Sequence, residues 1–93
     1  MIIGILEIEL KIPESHSLKD KRGRVKSIKD KVHRTFNVSV AEIGNHDILN
    51  GAILAVAKVG RDKKSVNSSL SRIAEMIEKN RQVELVDYRM ELM

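Results

Sequence analysis

The sequence predicts an α+β domain of order βαββαβ, and three observations carry that prediction. Residues 5–12, ILEIELKI, alternate apolar and charged side chains as a half-buried strand does. Two later segments space their apolar residues three and four apart, as helices do. Residues 52–59, AILAVAKV, are apolar at nearly every position, as in a strand inside a sheet. In a chain of 93 residues these elements fill one domain, 1–93, and leave no room for a second.

In the first strand Leu6, Ile8, Leu10 and Ile12 form one face and Glu7, Glu9 and Lys11 the other. Pro13 closes it, because proline has no N–H to give a sheet ladder. Ser17 with Asp20 three residues on is close to a capping box in which Asp replaces Glu. The helix that follows carries Leu18, Val25, Ile28, Val32 and Phe36 as its core stripe. Gly23 inside it costs up to about 1 kcal/mol relative to Ala. NVSVAEI (37–43) is β-branched and partly alternating, which reads as a strand. GNHDILNG (44–51) is bounded by glycines and longer than a tight hairpin turn, so it is a loop.

AILAVAKV then reads as a central strand buried on both faces. GRDKK (60–64) is a turn with Asp62 as helix N-cap. Val66, Leu70, Ile73 and Ile77 space a second helix that ends near Asn80. QVELVDYRMEL (82–92) is the last strand, and its alternation slips between Leu85 and Val86. With right-handed crossovers this order gives a ferredoxin-like sandwich: a four-stranded antiparallel sheet of order 4-1-3-2 with two helices on one face.

Composition narrows the function. Phe36 and Tyr88 are the only aromatic residues and cysteine is absent, so the core is aliphatic and neither a disulfide nor a thiolate metal site is available. The start, MIIGILEIEL, has no basic leader and no apolar run approaches the ~20 residues a membrane span needs, so a cytoplasmic location without membrane attachment is expected.

Charge is the informative feature. Between Leu18 and Arg34 stand eight Lys or Arg against two Asp, a balance of +6 in a chain whose total is +4, leaving −2 for everything else. At about 100° per residue Lys19, Arg22, Lys26, Lys29 and His33 fall on one flank of the helix. Arg24, Lys31 and Arg34 lie on the far side, partly offset by Asp20. Lys21 points within the apolar stripe, and in the first turn it is expected to overhang the sheet edge. Strands 1 and 3 are expected to lie side by side and parallel, so that the loops after them share one edge of the sheet. Lys19, Lys21 and Arg22 would then meet Arg61, Lys63 and Lys64. Cations in a helix's first turn oppose its macrodipole, so two such N-termini side by side would form an anion site, most naturally for phosphate.

Other constellations carry less. His16, His33 and His46 lie in different elements with no HxH or HxxxH spacing, so no metal is expected. His46-Asp47 reads as loop polarity, and Ser65, Ser68, Ser69 and Ser71 as the polar face of a helix. Central strands without aromatics exclude the base-stacking mode of the RNA-recognition motif. PESHS lacks the Arg and Gly of an acylphosphatase loop, and metallochaperone domains need a cysteine pair. No catalytic constellation and no cofactor site is found.

GILEIELKIPESHSLKDKR, VKS, FNVSVAEIGNHD and VDYRMEL resemble the YlxP-like proteins, a bacterial family of unknown function, over nearly the whole chain. SLKDKR (17–22) and FNVSVAE (36–42) are the most specific pieces. The resemblance implies a single ferredoxin-like domain. It also implies a setting near the ribosome, because the family's genes often lie among those for translation initiation and ribosome maturation. It brings no activity and no catalytic residue. Where the family often has Trp after the residue matching Asp47, this chain reads ILNG, so no stacking residue carries over. The function expected is a non-catalytic RNA-binding or ribosome-associated accessory protein contacting phosphates through Lys19, Lys21, Arg22, Lys26 and Lys29, with Arg61, Lys63 and Lys64 in support. The alternative is a homodimeric interaction module whose basic helix meets an acidic protein partner.

Overall fold

The computed structural model describes residues 1–93. Its elements are β1 (Ile2–Lys11), α1 (Leu18–Thr35), β2 (Ser39–Gly44), β3 (Gly51–Gly60), α2 (Lys63–Glu78) and β4 (Glu84–Leu92). The sheet order is β2-β3-β1-β4, the predicted order read from the other edge, and each neighbouring pair is antiparallel.

The apolar patterning explains the layers. Leu6, Ile8 and Leu10 leave one face of β1 and join Leu54 and Val56 of β3 in a buried aliphatic cluster with Val25, Ile28 and Val32 of α1 and Leu70, Ile73 and Ile77 of α2. Each such side chain contributes roughly 1.5–3 kcal/mol when fully buried. Helix α2 comes down close on β1 at Gly4, where a Cβ would collide with Val66 and stand 2.8 Å from Leu70 Cδ1.

Both predicted caps form. Ser17 Oγ accepts from Asp20 N at 3.0 Å, and Asp62 Oδ1 accepts from Ser65 N at 2.8 Å. At the other end of α1, Phe36 turns extended while its N–H still reaches Val32 O. Its ring lies under the Arg72 guanidinium, 5.5 Å from centroid to Cζ.

Two details refine the sequence reading. Strand β3 is not buried on both faces: Ala52, Leu54 and Val56 are buried, Ile53 and Ala55 half-buried, and Ala57 and Val59 exposed. Its apolar run hides an ordinary alternation, because both helices cover the same face and the outward positions happen to be Ile, Ala and Val. The slip in β4 is a register shift: Glu9 pairs Asp87 while Leu10 pairs Leu85, leaving Val86 over. No helix is long and apolar enough to cross a membrane.

Candidate nucleic-acid interface

The capped start of α1 fixes the direction of every side chain along it, and the core stripe then decides which cations face outward. Arg22, Lys26, Lys29 and His33 line an open groove of about 410 Å³ between α1 and the edge strand β2, with Val25, Asp30, Val40 and Glu42. From Arg22 to Lys29 the helix rises about 10 Å, so the Arg and Lys side chains form a stripe rather than a point, with His33 one turn beyond its end. Lys26 donates to Asp30 Oδ2 at 2.8 Å. That hydrogen bond first, then the charges of Lys26, Arg34 and His33, holds the Asp30 carboxyl below the ordinary carboxylate range. Arg22 and Lys29 make no ion pair and no side-chain hydrogen bond. Lys19 is exposed on the same flank and borders a second hollow with Asp20, Arg24 and Gln82.

Lys21 is a correction. It does not overhang the sheet edge but is 1% exposed, the one buried charged residue of the chain. Its stem runs with the core stripe and its ammonium ends among oxygens. It donates to the carbonyl of Asn45 and, at 3.4 Å, to that of His46, and lies 3.2 Å from Glu42 Oε2. The carboxylate oxygen is within ion-pair reach but off the hydrogen-bonding direction, so it makes no hydrogen bond. His46 Nε2 bonds Glu42 O at 3.0 Å, and Ile48 N donates to Asn45 O at 3.1 Å. Lys21 therefore fastens the first turn of α1 to the β2–β3 loop, and it is withdrawn from the phosphate-contacting set.

The second correction concerns Arg61, Lys63 and Lys64. β1 and β3 are antiparallel, with Ile2 opposite Gly60 and Lys11 opposite Gly51. The chain reverses at α1, at β2 and again at β3, so the loops after β1 and β3 leave from opposite ends of the sheet. A ten-residue strand separates them, about 33 Å. Arg61, Lys63 and Lys64 are exposed beyond Gly60, at the N-terminus of α2, and do not meet Lys19 or Arg22. The double anion site expected from the sequence does not exist.

Arg24 is likewise structural. It grips Asp20 through Nε at 3.4 Å and Nη2 at 3.0 Å, and Nη1 donates to the carbonyls of Pro13 and Gln82. It joins α1 to the β1–α1 and α2–β4 connections. Sequence reasoning missed Glu42 as a wall of the groove, because only the folded edge strand brings it opposite α1. His33 was placed on the right flank but left out of the site.

No group of three or more His, Asp or Glu side chains is arranged to hold a metal ion. A family profile described as a protein of unknown function, DUF503, matches residues 3–90. The uncharacterised protein YlxP of Bacillus subtilis strain 168 is 32% identical over 83 residues, which covers 89% of this chain and 90% of that protein. Among solved structures, the de novo designed protein Foldit4 aligns over 100% of this chain and 97% of its own, with a TM-score of 0.56 at 16% identity, a likeness of fold alone. With a family profile spanning almost all of its residues and a relative alike over nine-tenths of both lengths, the chain belongs to the DUF503 family, proteins of unknown function.

Proposed function

We propose that the protein is a non-catalytic RNA-binding accessory protein that grips the phosphate backbone along α1. The observation that carries this reading is the linear stripe of Arg22, Lys26 and Lys29 in one open groove with His33 at its end, and Lys19 exposed nearer the start of the helix. A row of cations about 10 Å long suits a linear polyanion better than a small phosphate ester, and the ribosomal setting implied by the family resemblance favours RNA as that polymer. The groove offers no exposed aromatic ring for stacking, so affinity is electrostatic and weakly sequence-dependent.

The test is binding of labelled single-stranded RNA between 50 and 200 mM salt. Three or four neutralised phosphates give a slope of log K on log salt of about −2 to −3. Arg22→Glu/Lys29→Glu reduces affinity at least tenfold while the melting temperature stays within about 2 °C, since neither residue has an intramolecular partner. A flat salt dependence, or unchanged affinity in the double variant, refutes the reading. One observation favours a second reading. The groove borders β2, which lies at the sheet edge, so an acidic peptide strand adding beside β2 would meet the same cations. A partner that survives nuclease treatment and is lost with Arg22→Glu/Lys29→Glu supports that reading over RNA.

A further inference from the structure

The face of the sheet turned away from the helices carries the opposite charge. Along β1 the outward residues are Ile3, Ile5, Glu7, Glu9 and Lys11, and register brings Glu91, Arg89, Asp87 and Glu84 of β4 opposite the last four of them. Five carboxylates thus stand against two cations. Arg89 Nη2 is taken by Glu7 Oε2 at 3.0 Å, and Lys11 faces Glu84. What remains unopposed is Glu9, Asp87 and Glu91. Glu9 and Asp87 are directly opposite one another, and like charges so placed destabilise a sheet. Asp87 Oδ1 relieves itself only by accepting its neighbour's N–H, from Tyr88 at 2.8 Å.

Beside this acidic margin runs an aliphatic stripe. Ile3 and Ile5 of β1 lie opposite Val59 and Ala57 of β3, and Ile53 lies opposite Glu9. Val59 is 65% exposed, and at the β2 edge Ile43 is 51% exposed. Neither helix covers any of it. Glu7, Glu9, Ile53, Asp87, Tyr88 and Arg89 enclose a shallow groove of about 130 Å³ where stripe and margin meet.

From this pairing of an open aliphatic stripe with uncompensated carboxylates we infer that the outer face of the sheet docks a cationic protein segment whose Lys or Arg residues alternate with aliphatic ones. Charge complementarity selects that occupant. A second copy laid face to face would set acid on acid. A second copy presenting α1 would bring charge but no exposed aliphatic side chain, since none of the large exposed apolar residues lies on α1. RNA is repelled by the same carboxylates. The α1 groove is on the other layer, so this surface stands whether or not α1 binds RNA.

The probe is a short amidated peptide alternating lysine with leucine, followed by NMR of the amides of β1 and β3 and by fluorescence anisotropy, against a peptide alternating lysine with serine. The lysine–leucine peptide should bind at least tenfold tighter than the lysine–serine peptide and shift the amides of Ile53, Ala55 and Ala57. Glu9→Lys/Glu91→Lys should weaken it at least tenfold; both side chains are exposed and unpaired, so the melting temperature should hold. Arg22→Glu/Lys29→Glu should leave peptide affinity unchanged within twofold, which separates this surface from the α1 groove. Equal affinity for the two peptides overturns the inference, as does binding that survives Glu9→Lys/Glu91→Lys. Concentration-dependent self-association by light scattering that is lost in that variant overturns it in favour of a second copy.

Discussion

Replacing Lys21 by Met tests the least expected feature of the chain. The substitution keeps an unbranched stem of similar length in the core and deletes only the ammonium. Three oxygens lose the ammonium: the carbonyl of His46, Glu42 Oε2 at 3.2 Å, and the carbonyl of Asn45, which keeps only the N–H of Ile48. Removing one member of a buried ion pair costs about 3–5 kcal/mol, because the other charge is left desolvated. The Glu42 side chain retains 16% exposure, so water relieves part of that, and the low end of the range applies, about 3 kcal/mol. At roughly 4–8 °C per kcal/mol for a domain of this size, the melting temperature falls by about 15 °C. Thermal and urea unfolding followed by circular dichroism at neutral pH measure it. Lys21→Met/Glu42→Gln should recover at least 1 kcal/mol, the sign of direct coupling. Amide exchange at Ile48, whose N–H closes the loop turn onto Asn45, should accelerate in the single variant. A loss under about 3 °C refutes the reasoning, since it would mean the ammonium is hydrated and the loop needs no fastening. Lys21→Glu, attractive as a charge reversal from the sequence alone, would set a carboxylate beside Glu42 and unfold the protein instead of probing RNA.

Gly4→Ala should lose about 1–3 kcal/mol, read from the same unfolding curves, because its Cβ would strike Val66 and stand 3.2 Å from Leu92 Cδ2; stability equal to wild type would mean that α2 can lift off β1. The Asp30 carboxyl is held below its ordinary range mainly by the hydrogen bond from Lys26, so its contribution is present above the unfolded-state pKa and lost as pH falls through the lower folded-state value. Asp30→Asn should therefore flatten the acid limb of the stability curve slightly and, by freeing Lys26, tighten RNA binding at neutral pH; weaker binding would contradict the role given to Lys26.

The elements were legible because each rests on local chemistry. Alternation in ILEIELKI, the Ser17 and Asp62 caps and the helical spacing of Val25, Ile28 and Val32 concern residues a few positions apart. Even the irregularity at Leu85–Val86 was visible, and it proved to be the bulge that turns β4 against β1. The site was legible only as far as one helix reaches. The flank holding Arg22, Lys26 and Lys29 follows from 100° per residue, but its far wall, Val40 and Glu42, is supplied by another strand. Lys21 shows the limit most clearly. Its direction into the core was readable, whereas its acceptors lie 21 to 25 positions away and exist only once the β2–β3 loop has folded. The failed junction with Arg61, Lys63 and Lys64 had a different cause. The predicted antiparallel order 4-1-3-2 already makes the neighbouring strands 1 and 3 antiparallel, as they are, so the parallel pairing on which the junction rested was at odds with the predicted topology itself.

The segregation of charge by layer bears on how the two proposed surfaces work together. Cations line the outer flank of α1, and carboxylates line the open face of the sheet, with the aliphatic core between them. Across its two short axes the molecule measures 20 and 18 Å, about twice the Debye length at physiological salt. A polyanion on α1 and a cationic segment on the sheet would thus feel each other weakly, and the repulsion of each ligand from the wrong face would act only near contact. The two surfaces should bind almost independently, so that neither ligand changes the other's affinity by more than about twofold at 150 mM salt. Lowering the salt to 10 mM extends the Debye length to about 30 Å, and the opposite signs of the two ligands should then make binding mutually favourable. Coupling that persists unchanged at both salts would have to pass through the protein, and the Lys21–Glu42 pair, which ties the start of α1 to the edge of the sheet, would be the first place to look for it.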